Sequence, residues 1–141
     1  MRLKLINIDT STEVNIPLLG NKISAGFPNA ADGYIERTID LNKEFIKNKA
    51  STFVMQVEGE SMKGACIKDG DYLIVDRSDV PRDKKIVVCY IDGEFTVKRI
   101  KIEKDVIWLM PENEEYKPIR VDKDNNFIIW GVVAHSIKSH H

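Results

Sequence analysis

From residue 53 onward, apolar and polar positions alternate in short runs. Phe53, Met55 and Val57 interleave with Val54, Gln56 and Glu58, the period of a half-buried strand. "DYLIVDR" (71–77) is short and apolar, and "KIVVCYIDGEFTVKRIKI" (85–102) holds two β-rich runs around Asp92-Gly93. Both turn residues tolerate positive φ, so this stretch predicts a hairpin. "DVIWLM" (105–110), "KPIRV" (117–121) and "NFIIWGVVAHSI" (126–137) add further strands. Short strands at this spacing predict a mainly β fold, a curled antiparallel sheet or small barrel. Just upstream, "DLNKEFIKN" carries Asp40 as an N-cap and Leu41 and Phe45 four apart, which predicts one short helix. The first 38 residues differ. Their apolar positions are scattered, and Pro17, Gly20, Gly26, Pro28 and Gly33 punctuate them. "NIPLLGNKISAGFPNAADG" (15–33) reads as an extended arm with turns. A helix-turn-helix needs two periodic helices, and this segment offers none.

Composition narrows the function classes. The 141 residues are 43% hydrophobic and 30% charged, with a net charge of −1. That is enough chain for a sizeable core, and it builds no strong field toward nucleic acid or a membrane. The longest apolar run, Phe127 to Ala134, falls far short of the ~20 residues that span a bilayer. No basic-then-apolar leader opens the sequence, so no signal peptide is expected. Cys66 and Cys89 lack CxxC spacing and suggest reduced thiols in a cytoplasmic protein. No metal site and no cofactor is expected: phosphate-loop and dinucleotide signatures are missing, and Asp69, Asp71 and Asp76 read as turn formers.

One stretch raises a chemical question. In "EGESMKGACIKDGDYLIV" (58–75), Ser61 sits in a turn bracketed by Gly59 and Gly64. Such a turn can expose a hydroxyl and point successive backbone N–H groups outward, which would suit an oxyanion held by Ser61 and Met62. Serine in a glycine turn is also common for conformational reasons alone. A nucleophilic serine needs a base. His135 falls in an expected strand and the other two histidines end the chain, so lysine is the alternative. Lys63 is two residues away and faces elsewhere on a helical turn. Lys98 lies in the strand "EFTVKRIKI" on the face of Thr96, Ile100 and Ile102. Were that face buried, lost hydration would lower its pKa; a half-exposed strand lysine fits the pattern equally well. A lysine acts as a base near neutral pH only when its pKa falls from ~10.4 to about 7–8.

The motifs together resemble the LexA/UmuD-type self-cleaving serine–lysine peptidases. "VEGESM" (57–62) resembles their nucleophile motif, "DGDYLIVDR" (69–77) the segment after it, and "DGEFTVKRI" (92–100) the segment with the base lysine. "AGFPNAADGYIERTIDLN" (25–42) resembles the region at and after the self-cleavage site, and "WGVVAHSIK" (130–138) the final strand. The likeness runs over roughly residues 15–138, motifs in order. With only about 25 residues ahead of the cleavage position, it favours the UmuD branch over helix-turn-helix-bearing LexA.

The resemblance implies Ser61 as nucleophile, Lys98 as general base, the Ser61 and Met62 amides as oxyanion hole, and Ala25–Gly26 as the scissile bond. Enteric UmuD has Cys before that bond; Ala-Gly is the usual LexA-type pair. The implied organisation is an arm of residues 1–25 removed by self-cleavage, a linker of residues 26–38 and a β-rich peptidase domain of residues 39–141. The implied partners are a second copy in a homodimer, a RecA–single-stranded DNA filament that stimulates cleavage, and a UmuC-like translesion polymerase in SOS mutagenesis. "NIPLL" (15–19) is expected either to touch the replicative sliding clamp or to dock on its own domain. Two rival readings are a non-cleaving interaction module and a LexA-like regulator fragment.

Overall fold

Alternation of this kind can bury one residue in two only if the strands pair, and they do. The computed structural model describes residues 2–6, 8–19, 35–122 and 126–140. They carry strands β1 (Arg2–Ile6), β2 (Asn15–Leu19) and β3 (Ile35–Asp40), helix α1 (Leu41–Phe45), then β4 (Thr52–Glu58), β5 (Tyr72–Asp76), β6 (Ile86–Ile91), β7 (Glu94–Ile102), β8 (Ile107–Met110), β9 (Ile119–Val121) and β10 (Phe127–Ile137). The chain divides into two units, one of residues 1–8 and 50–141, the other of residues 9–49.

The larger unit is one curled antiparallel sheet of eight strands in the order β1-β4-β5-β10-β6-β7-β8-β9. The expected mainly β architecture is what forms. The β6–β7 hairpin turns at Asp92 (φ 48°) and Gly93 (φ 87°), the left-handed pair that a two-residue connection requires. Strand β10 joins the two halves, pairing with β5 through Val132–Ile137 and with β6 through Phe127–Val132. Its register shifts near Gly131, where a Cβ would lie 2.7 Å from Val75 Cγ1; only glycine lets the strands approach that closely.

Apolar residues fill both faces of the sheet. One cluster gathers Met55, Val57, Met62, Ile67, Leu73, Val75, Val88 and Val97. The other gathers Val87, Cys89, Ile100, Leu109 and Val132. Trp130 bridges Phe53 and Phe95 edge-on at 5.1 and 5.6 Å, and the Arg77 guanidinium lies 4.6 Å above its ring, a cation–π contact.

The N-terminal segment holds more structure than its scattered apolar residues suggest. Residues 2–6 are an edge strand of the large sheet, running from Arg2 opposite Glu58 to Ile6 opposite Val54. The large unit thus takes in the chain's first residues and resumes at Ala50, instead of running unbroken from residue 39. In the smaller unit β2 pairs with β3, Pro17 facing Thr38; "NIPLL" is therefore a paired strand. Asp40 caps α1 as expected: its Oδ1 accepts from the N–H of Asn42 at 3.1 Å and of Val14 at 3.2 Å. The helix is a single five-residue turn, too short to stand without such support. Ala25 and Gly26 lie outside the described residues.

Candidate active site

Strand β4 ends at Glu58 and delivers the chain into a tight turn. Gly59 takes φ 105°, and its N–H donates to Asp69 Oδ1 at 2.9 Å. A 3-10 turn, Lys63–Ala65, follows with Met62 at its start. Between the two sits Ser61, which is 0% exposed. Such a turn can expose a hydroxyl; here the hydroxyl is enclosed, because the turn is pinned to the chain following β8. There the Glu112 N–H donates to Ser61 O at 2.9 Å, and the Gly64 N–H to Glu112 O at 2.7 Å. Asn113 Nδ2 donates to Glu60 O at 2.8 Å. A Cβ on Gly64 would lie 2.6 Å from Glu112 O, so this two-way clasp requires glycine there.

Lys98 reaches the same point from the middle of β7. Register places it opposite Val87, with Thr96 opposite Cys89, on the apolar face built by Val87, Cys89 and Ile100. The face is buried: Lys98 is 5% exposed and Ile100 1%. Ile102, at the strand's end, is open to solvent. Lys98 Nζ lies 3.1 Å from Ser61 Oγ, 2.9 Å from Thr96 Oγ1 and 3.0 Å from Val97 O. Burial pushes its pKa below the ordinary lysine value, opposed by the Cys89 sulfur nearby. The same burial lifts the Cys89 thiol to about 12, with Lys98 pulling it down, so this thiol stays protonated at neutral pH. Among the described residues no carboxylate pairs with Lys98.

All three oxygens lie where Nζ donates to them, and losing one proton would free a lone pair without moving any of them. Neutral Nζ has two hydrogens and one lone pair. Thr96 Oγ1 and Val97 O can take the hydrogens, leaving the lone pair for the Ser61 O–H. In the described structure the N–H groups of Ser61 and Met62 donate to no carbonyl, which leaves them available to a negative oxygen. Lys63, sequence neighbour of the serine, is exposed. His135 lies in β10, away from this turn in the sheet order.

The Peptidase S24-like family matches residues 17–134. The chain belongs to this family of peptidases. It is 40% identical over 127 residues to Protein MucA of Salmonella typhimurium, covering 89% of this chain and 86% of that protein. It is 38% identical over 122 residues to Protein ImpA of Escherichia coli, covering 86% and 82%. A LexA repressor of Alcanivorax borkumensis is 40% identical over 126 residues, 89% of this chain but 60% of that repressor.

Within this S24-like frame, three contributors escape sequence pattern. Thr96 was legible as sharing the face of Lys98, but its acceptor role was not. Glu112 and Asn113 lie some fifty residues from the turn they clasp, and no local signal links them to it. Asp69, Asp71 and Asp76 brace turns as expected. Asp71 Oδ2 accepts from the Lys68 N–H at 2.9 Å and from Lys138 Nζ, and Asp76 Oδ1 from Ser51 Oγ at 2.7 Å. Among the described residues no acidic, histidine and cysteine cluster could hold a metal, and no helix is long and apolar enough to cross a membrane.

Proposed function

We propose that this chain is a UmuD-like protein of SOS mutagenesis that cleaves itself between Ala25 and Gly26. One observation carries the reading: a lysine amine buried on an apolar face, 3.1 Å from an enclosed serine hydroxyl. In this reading Lys98 Nζ removes the Ser61 proton as Oγ bonds to the Ala25 carbonyl carbon. The amides of Ser61 and Met62 hold the oxyanion. The tetrahedral intermediate collapses, the bond to the Gly26 nitrogen breaks, and the Lys98 ammonium protonates the departing amine. Water, deprotonated by Lys98, then hydrolyses the Ser61 ester. Gly26 lets the backbone approach closely, and tethering makes the attack effectively unimolecular.

On this reading a RecA–single-stranded DNA filament stimulates cleavage by favouring a conformer that brings Ala25–Gly26 to Ser61, through differential affinity alone. The processed homodimer of residues 26–141 then serves a UmuC-type translesion polymerase as accessory subunit. Support comes from the S24-like family match and from the identity to MucA and ImpA over more than four-fifths of the chain. The test is alkaline incubation of wild type beside Ser61→Ala, read by intact mass. Fragments ending at Ala25 and starting at Gly26 are expected from wild type alone. A stable wild type, or equal fragmentation of both, overturns the reading.

A further inference from the structure

The proposed cut lies in the connection between β2 and β3, so it severs residues 1–25, and with them β1, from the rest of the chain. We infer that the outer edge of β4 is a strand-addition site for an extended peptide, capped in the intact chain by residues 2–6 and uncovered by processing. This rests on the self-cleavage reading above.

Strand β1 is attached lightly. It is the edge of the sheet, joined to β4 alone in the strand order, over the pairs from Arg2–Glu58 to Ile6–Val54. Leu3 and Ile6 are its half-buried residues, Leu3 packing on the neighbouring core; Leu5 is 49% exposed. The remainder of the fragment adds little hold, since Val14 and Ile16 are 43% and 41% exposed and a two-stranded pairing is marginal by itself in water. Tethered, β1 meets its site at an effective concentration of order millimolar. Cut free at cellular concentrations, a five-residue strand with two half-buried side chains, Leu3 and Ile6, dissociates.

What it leaves is not a blunted edge. Strand β4 carries the buried Met55 and Val57, and its unpaired N–H and C=O groups would be a template for another strand. Strand addition draws affinity from main-chain hydrogen bonds and selectivity from alternate side chains. The seated segment "RLKLI" defines the occupant. It is an extended antiparallel segment of a partner protein, with an aliphatic residue where Leu3 packs beside Val57 and a basic residue opposite Glu58.

The test separates this inference from self-cleavage. A Ser61→Ala chain with a site-specific protease sequence replacing residues 23–28 is cut by the added protease and followed by hydrogen exchange and gel filtration. Expected is loss of the N-terminal fragment and at least tenfold faster exchange of amides within residues 52–58. A synthetic peptide of residues 2–8 restores protection, and its Leu3→Asp form does not. A retained fragment, unchanged exchange, or an edge that pairs with a second copy and ignores the peptide overturns the inference. Wild-type chain at alkaline pH reports on self-cleavage independently.

Discussion

At Lys98 the chemistry and the stability of the chain share one cause. Burial lowers its pKa, so the neutral base is reached at lower pH than for a solvated lysine. Self-cleavage should therefore rise with pH and level off before the ordinary lysine value of ~10.4; single-turnover rates from pH 6 to 11 check this, and a flat profile would remove Lys98 as base. The linkage has a definite sign. The unfolded chain binds this proton more tightly than the folded one, so stability increases with pH across the interval between the two pKa values. The cost is absent above ~10.4, grows as pH falls and is constant below the folded value. In a Ser61→Ala background, Lys98→Met should thus melt at or a few degrees above its parent at pH 7, with the gap closing toward pH 10. Thr96→Val removes one acceptor from Nζ, whose distance is 2.9 Å. It should slow cleavage roughly fivefold, the loss of a hydrogen bond of about 1 kcal/mol, while the fold survives.

At the scale of elements, the hydroxyl is placed by two segments that meet only in three dimensions. The Ser61 turn is clasped by the chain after β8 through Ser61 O, Gly64 N–H and Asn113 Nδ2. Gly64→Ala forces a methyl group against Glu112 O, 2.6 Å away. Backbone must move, at about 1–3 kcal/mol, which in a chain of this size lowers the melting temperature by several degrees. Cleavage should fall more than stability does, since a small displacement at a reacting atom can cost about a hundredfold. Parallel melts and rates decide it: equal losses in Gly64→Ala and in a remote destabilised variant would leave the clasp a purely structural role. The strands were legible because alternation is a local signal and Asp92-Gly93 fixes the β6–β7 register; the same alternation put Lys98 on one face with Thr96 and Ile100. The burial of Lys98 was not legible, because a lysine on an alternating face reads the same whether or not that face is covered. Strand β1 escaped for a related reason: Leu3 and Leu5 alternate with Arg2 and Lys4 over too few residues to stand out, and only pairing with β4 makes them a strand.

Across the whole molecule, the order of strands in the sheet differs from their order in the chain, and this makes the proposed cut consequential. The first strand is the outermost of the sheet, beside the strand that leads into Ser61. A break at residue 25 therefore removes part of the peptidase unit as well as the segment joined to it. The size of the effect follows from what β1 buries. Two half-buried side chains, Leu3 and Ile6, and a single edge ladder contribute about 2–3 kcal/mol, and at roughly 2–4 °C per kcal/mol for chains of this length the processed protein should melt several degrees below the intact one. Uncut Ser61→Ala carrying Leu3→Asp should show a similar drop, because the carboxylate cannot pack on the core beside Val57. Calorimetry on intact Ser61→Ala, Ser61→Ala with Leu3→Asp, and processed wild type makes the comparison. A processed chain that melts with the intact one would mean that β1 is held without its tether, and the sheet would keep eight strands after the cut.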